Sequence, residues 1–108
     1  DIVYVERILG IMDFSDTLGW LESFATIEAL APKHVVSGHG PVTTLERAKA
    51  DTRDYLLNLR TVMQDYIDQG GDIISSTKVD QSAFAYLKQF ESLAGRNAQT
   101  LFEQMEWE

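Results

Sequence analysis

Two short stretches decide the fold that this sequence predicts. Residues 1–7 read Asp-Ile-Val-Tyr-Val-Glu-Arg, and residues 34–41 read His-Val-Val-Ser-Gly-His-Gly-Pro. Ile2 to Val5 form a short apolar run rich in β-branched residues, which is typical of a strand buried on both faces, and Val35 and Val36 predict the next short strand. The Gly-His-Gly-Pro sequence then indicates a sharp turn where the second strand ends.

A helix is expected between these two stretches, near residues 16–30. Apolar residues from Leu18 to Ile27 recur every three or four positions, and Ser15 or Asp16 can cap the start. Strand, helix and strand over about 40 residues indicate a βαβ-type unit or the edge of an α/β sheet. We therefore predict an α/β fold for residues 1–42.

The remainder, residues 43–108, is predicted to be helical. No Pro or Gly interrupts residues 43–69, which predicts one long helix. Its seam packs on the protein's own core or pairs with a second copy of the chain, and the broad apolar stripe favours the first alternative. Further helices are expected from Asp80 to a break at Gly95, and from Arg96 to Met105. The seam residues are Leu45, Ala48, Thr52, Tyr55, Leu59, Val62 and Tyr66.

Composition limits the possible functions. The 108 residues contain 17 Asp and Glu against 9 Lys and Arg, and no Cys. The absence of Cys excludes disulfide scaffolds, cysteine zinc sites and thiol catalysis within this sequence. The net charge of −8 argues against nucleic-acid binding. No apolar run is long enough to span a membrane, so we expect no membrane partner.

The candidate metal ligands are Asp1 and His39. His39 stands between two glycines at the carboxyl end of a predicted strand, where ligand sites of open α/β sheets gather. It can act as a metal ligand or base, or it is a turn residue with structural hydrogen bonds only. His34, at the start of the strand, is expected to be partly exposed and not a ligand. Asp1 heads the first strand, where it is either a bridging carboxylate or a frayed terminus.

The residues around Asp1 and His39 resemble the C-terminal part of the metallo-β-lactamase superfamily. In that family, an aspartate at the head of a strand bridges two metal ions. A later histidine in a Val-x-Gly-His-Gly-Pro context binds the second metal. The resemblance implies that Asp1 and His39 are metal ligands and that the chain is half of an αββα sandwich with a helical tail. The long helix and acidic C-terminus are similar to quinoprotein-relay or SoxH-like members, which implies a periplasmic location.

The family's His-x-His-x-Asp-His motif and its third histidine are absent from the 108 residues. The resemblance therefore implies a C-terminal fragment of a dinuclear zinc hydrolase. In the intact parent, metal-bound hydroxide would attack a carbonyl of a small-molecule substrate. The fragment itself is expected to be inactive, to bind zinc weakly or not at all, and to form a homodimer or another homo-oligomer. The alternative is a non-catalytic, acidic helical interaction or dimerisation module, with Gly38-His39-Gly40 as an ordinary turn.

Overall fold

Helices form most of the structure. The computed structural model describes residues 2–38 and 40–108. No helix in this part of the chain is long and apolar enough to cross a membrane. The α-helices are α1 (Thr17–Ala29), α2 (Leu45–Ala48), α3 (Asp54–Asp68) and α4 (Phe90–Met105); a π-helical turn, Lys49–Arg53, joins α2 to α3, and 3₁₀ turns span Ser75–Lys78 and Ser82–Phe84.

The predicted α/β fold is wrong for the described residues. Their extended segments form isolated bridges, such as the parallel bridge of Arg7 with Lys88 and the antiparallel bridge of Val35 with Thr43, and no sheet. Neither a βαβ unit nor half of an αββα sandwich is therefore present there. The sheet is missing because an extended segment becomes part of one only when it pairs with another extended segment. Here the first extended segment lies against helices instead.

We call residues Ile2–Ile11 the inner segment. It has no helix and contributes buried apolar side chains to both hydrophobic clusters of the protein. Hydrogen bonds from helix side chains and from the Lys88 backbone satisfy many of its buried backbone groups. Its buried side chains are Val3, Val5, Ile8, Leu9 and Ile11.

Two clusters of buried apolar residues hold the fold together. The larger joins α3 and α4 through Tyr55, Leu59 and Leu101, with the second half of the inner segment between them. The smaller joins the first half of the inner segment to α1, α2 and the segment before the Gly-His-Gly turn. Its members are Val3, Val5, Phe24, Val35 and Ala48.

The helix predictions from local periodicity are mostly confirmed. Helix α1 begins after Asp16, whose side chain accepts a hydrogen bond from the Gly19 amide. Thr44 caps α2 in the same way, and helical structure then continues through the π turn to Asp68. The long seam packs on the protein's own core, since Thr52, Tyr55 and Leu59 are fully buried. Those buried positions are consequently not available for pairing with a second copy.

The predicted helix break at Gly95 is wrong. Helix α4 runs from Phe90 to Met105 without interruption, and residues 82–84 form only a 3₁₀ turn. A glycine inside a helix costs about 1 kcal/mol relative to alanine. Burial of the α4 face offsets that cost, because the residues facing α3 and the inner segment bury a large area. These residues are Ala94, Asn97, Ala98, Leu101, Phe102 and Met105.

Gly40 gives the fold a position that only glycine can occupy. Its φ is +120°, and a Cβ there would lie 2.4 Å from the carbonyl oxygen of Val5. We expect Gly40→Ala to lower the free energy of unfolding by more than about 2 kcal/mol, because it adds backbone strain to a clash with the inner segment. Urea unfolding measures this loss.

Gly70→Ala is the matched control. Gly70 also has a positive φ, +81°, but a Cβ there would meet nothing within 4 Å. Only the left-handed backbone is then unfavourable, at about 1 kcal/mol. Equal losses for the two variants would contradict the contact between Gly40 and Val5.

Candidate metal site and the segments that flank it

Asp1 and His39, the two predicted metal ligands, both lie outside the described residues. Their neighbours along the chain are described. Ile2 and the rest of the inner segment follow Asp1, whereas Gly38 and Gly40 flank His39. The structure therefore shows the segments on either side of the candidate site.

Hydrogen bonds from two helices fix the beginning of the inner segment. The indole Nε1 of Trp20, on α1, donates to the carbonyl oxygen of Ile2 at 2.7 Å. The hydroxyl of Thr52, on the π turn, accepts from the Tyr4 amide at 2.9 Å and donates to the Tyr4 carbonyl at 2.7 Å. A neighbouring strand would offer Tyr4 the same donor and acceptor, and here one side chain offers both.

The carboxylate of Asp51 holds the next point of the segment. Asp51 is fully buried, and its Oδ2 accepts from the Glu6 amide at 2.7 Å. The Glu6 carbonyl accepts from the Lys88 amide at 2.8 Å. Glu6 has φ of +61°, an unfavourable value for a residue with a side chain. The hydrogen bonds on both sides of Glu6 stabilise this conformation.

The segment that contains His39 is closed by a bridge at its base. Val35 and Thr43 exchange two backbone hydrogen bonds, each 2.8 Å long. Val35 packs beside Val3 and Val5 in the smaller cluster. The backbone of Gly40 lies so close to Val5 that a Cβ on residue 40 would clash with the Val5 carbonyl oxygen. The two segments that flank the predicted ligands are therefore in contact.

The buried charge of Asp51 is compensated by two partners. Its Oδ2 accepts from Nε of Arg47 at 2.8 Å, and its Oδ1 accepts from the Tyr86 hydroxyl at 2.7 Å. The hydrogen bond to Asp51 raises the pKa of the Arg47 guanidinium. Desolvation of the phenol, together with its hydrogen bond to Asp51, raises the pKa of Tyr86 to about 12. The buried carboxylate thus has a guanidinium and a phenol as hydrogen-bond donors, as a buried acidic group requires.

The described residues offer few further side chains that could bind a metal ion. No group of three His, Cys, Asp or Glu converges among residues 2–38 and 40–108. His34 is exposed, as expected. A carboxylate and an imidazole suit zinc, but a catalytic zinc takes about three protein ligands. By residue type alone, Asp1 and His39 would supply two of these ligands.

Structural contacts hold three large aromatic side chains of the described residues. Tyr55 is fully buried, and its hydroxyl donates to Gln81 at 2.6 Å. Trp20 binds the inner segment, and the Tyr66 hydroxyl donates to the Asp72 carbonyl. Packing and hydrogen bonding thus account for all three.

Sequence reasoning missed the residues that position the inner segment. Asp51 was not singled out, and Thr52 was assigned to the apolar seam. Asn97 was also missed: its side chain accepts from the Ile11 amide and donates to the Leu9 carbonyl. The sequence did contain one signal for Thr52, its hydroxyl on an otherwise apolar seam. A buried polar group requires a hydrogen-bond partner, so this hydroxyl indicated a contact with another segment.

Comparisons with family models, with curated proteins and with solved structures gave no match to this chain. The resemblance to the metallo-β-lactamase superfamily consequently remains a prediction from the residues around Asp1 and His39.

The contact of Tyr86 with Asp51 predicts that the Tyr86 phenol loses its proton at an unusually high pH. We expect the Tyr86 phenol to titrate near pH 12 instead of near its ordinary 10.0. Because the folded-state pKa lies above the unfolded-state value, the stabilising contribution is complete below about pH 10. It is lost as the pH rises from 10 to about 12.

The phenolate absorbance of the protein minus that of the Tyr86→Phe variant isolates this group. The difference should have its midpoint near 12. A midpoint near 10 would show that the Tyr86 hydroxyl is not held against Asp51.

Proposed function

We propose that this chain is the C-terminal part of a metal-dependent hydrolase of the metallo-β-lactamase superfamily, in which Asp1 and His39 are ligands of a dinuclear zinc centre. The observation that carries the proposal is the contact of Gly40 with Val5, which joins the two flanking segments. The proposal concerns ligands only. It does not include the αββα sandwich, which the structure contradicts.

The chain would contribute a carboxylate and an imidazole to the centre. The remaining ligands would come from a His-x-His-x-Asp-His motif, which the 108-residue sequence does not contain. Two ligands hold zinc less tightly than the three or four of a complete site. We therefore propose that the 108-residue chain alone binds zinc weakly and is inactive.

The chain's own residues hold the segments beside the two proposed ligands. Trp20, Thr52 and Asp51 fix the segment that follows Asp1, and the Val35–Thr43 bridge fixes the base of the loop that contains His39. When bound, zinc ions lower the pKa of a coordinated water and polarise the carbonyl of a small-molecule substrate. The metal could equally be iron or manganese, because both accept imidazole and carboxylate ligands.

Metal titration of the 108-residue chain tests the proposal. We expect paramagnetic Co²⁺ to broaden the amide NMR signals of Ile2, Val3, Gly38 and Gly40 together, because one ion would lie near both segments. Zinc should compete for the same site, with a dissociation constant above about 1 µM for two ligands.

His39→Ala should abolish the broadening in both segments. His34→Ala is the control, since it removes the other histidine, an exposed one, and should leave the broadening unchanged. Broadening of one segment alone would contradict a shared ion. The coding sequence gives a second check: the proposal requires a glycine codon before Asp1 and a His-x-His-x-Asp-His motif farther upstream.

One observation favours the alternative, an acidic interaction or dimerisation module. Two large apolar side chains beside the loop that contains His39 are exposed: Val36 at 79% and Val42 at 65%. Val36 and Val42 directly follow and precede the bridge between Val35 and Thr43. Exposed apolar surface of this kind is often covered by a partner, and a second copy of the chain is the simplest one.

Sedimentation equilibrium tests self-association through this surface. We expect a dimer at concentrations on the order of tens of micromolar, and a monomer for the double variant Val36→Lys with Val42→Lys. Ile74→Lys is the control, because Ile74 is also exposed but lies in a different part of the chain. A monomeric native chain, or equal dissociation of all variants, would contradict this dimer.

A further inference from the structure

We propose that a groove lined by α1, α3 and the end of α4 binds an aliphatic carboxylate, a small molecule with one carboxylate and an unbranched apolar chain. Arg60 would hold the carboxylate, and Glu108 occupies the same guanidinium as an internal competitor. We call this site the Arg60 groove. It consists of described residues, so it does not depend on the proposed metal centre.

Apolar side chains form much of the wall of the Arg60 groove. Its volume is about 420 Å³, within the range of about 300–1,000 Å³ in which small-molecule sites fall. Leu18 on α1 and Leu57 on α3 are both exposed, so they leave apolar surface that a ligand chain would cover. The apolar lining residues are Leu18, Leu21, Leu57 and Met105.

Arg60 supplies the positive charge of the groove. Its side chain is only 14% exposed, so the guanidinium is largely removed from water. Its Nη1 donates to the Thr17 hydroxyl at 2.6 Å, which fixes the orientation of the guanidinium. A largely buried charge requires an opposite charge as its partner. A carboxylate suits this position because its two oxygens match the two terminal nitrogens of a guanidinium.

Glu108 demonstrates that the position accepts a carboxylate. Its Oε1 accepts from Nη2 of Arg60 at 2.6 Å, and its Oε2 accepts from Nη1 at 3.2 Å, which is a bidentate arrangement. Glu108 lies three residues beyond Met105, where α4 ends. Trp107 beside it is 85% exposed, so this segment covers little of the apolar wall. An aliphatic carboxylate would form the same ion pair and cover that wall as well.

The position of Asp65 indicates which way the ligand chain lies. Asp65 also lines the groove, five residues beyond Arg60 on α3 and about 7.5 Å farther along the helix axis. Its carboxylate repels a second anion and is costly to cover with an apolar chain. Leu57 lies on the other side of Arg60, three residues before it. We therefore expect the carboxylate at Arg60 and the chain along Leu57, away from Asp65.

Titration of the 108-residue chain with decanoate, followed by methyl NMR, tests the site. We expect the methyl signals of Leu18, Leu57 and Met105 to shift together, with a dissociation constant below about 1 mM. From hexanoate to octanoate to decanoate, each pair of methylenes should tighten binding severalfold, up to about fifteenfold for complete burial. Octan-1-ol has the chain but no charge, and it should bind at least about tenfold more weakly than octanoate.

Three variants separate ligand binding from general stability. Glu108→Gln should tighten decanoate binding at least about threefold, because a neutral amide competes less well for Arg60. A gain in affinity does not arise from a loss of folding. Arg60→Gln should weaken binding at least about tenfold. Arg53→Gln is the matched control, since Arg53 is ion-paired with Glu28 away from the groove and should leave the affinity unchanged.

Several results would overturn the site. Decanoate that shifts none of the three methyl signals, or that binds no better than hexanoate, would remove the role of the apolar wall. Equal binding of octan-1-ol and octanoate, or unchanged affinity in Arg60→Gln, would remove the role of the charge. Unchanged affinity in Glu108→Gln would show that Glu108 does not compete. A peptide of residues 101–108 that binds more tightly than decanoate would make the tail of a second copy the occupant instead.

Discussion

The structure depends on how a buried stretch of chain outside any helix satisfies its backbone hydrogen bonds. The inner segment Ile2–Ile11 contributes to both hydrophobic clusters. An unpaired amide or carbonyl there would cost about 1–3 kcal/mol. Thr52, Asp51 and Asn97 bind it from the helices, and Lys88 pairs with it through the backbone. These contacts attach the inner segment to the π turn, to α4 and to the residues just before α4.

The helices could be predicted from the sequence because their signals are local. Asp16 and Thr44 cap their helices as side-chain chemistry requires, and the apolar spacing gives the buried faces. The strands could not be predicted, because an apolar run such as Ile2–Val5 shows burial but not the partner of its backbone. Thr52 is 48 residues from Tyr4, so no local pattern relates them.

The candidate site was predictable only in part. The Gly-His-Gly sequence indicated a sharp turn, and the positive φ of Gly40 agrees with it. The contact of that turn with Val5 joins parts of the chain that are far apart in sequence, and periodicity does not contain such information. Nothing in the sequence distinguishes Asp51 from the other acidic residues, and an acidic residue on a helix is usually expected to be exposed to solvent. Its burial follows from the partners supplied by Arg47 and Tyr86.

Attachment to a helix has a mechanical consequence that pairing in a sheet would not have. A strand in a sheet shares its position among many equivalent hydrogen bonds, whereas the Tyr4 backbone and the Glu6 amide are each bound by one of two consecutive side chains of a single helical turn. Both residues are fully buried, and Thr52 belongs to the seam whose Tyr55 and Leu59 pack in the larger cluster. Movement of the seam along its axis would therefore move the inner segment with it. The packing of α3 against α4 and the position of the inner segment are in this way parts of one constraint.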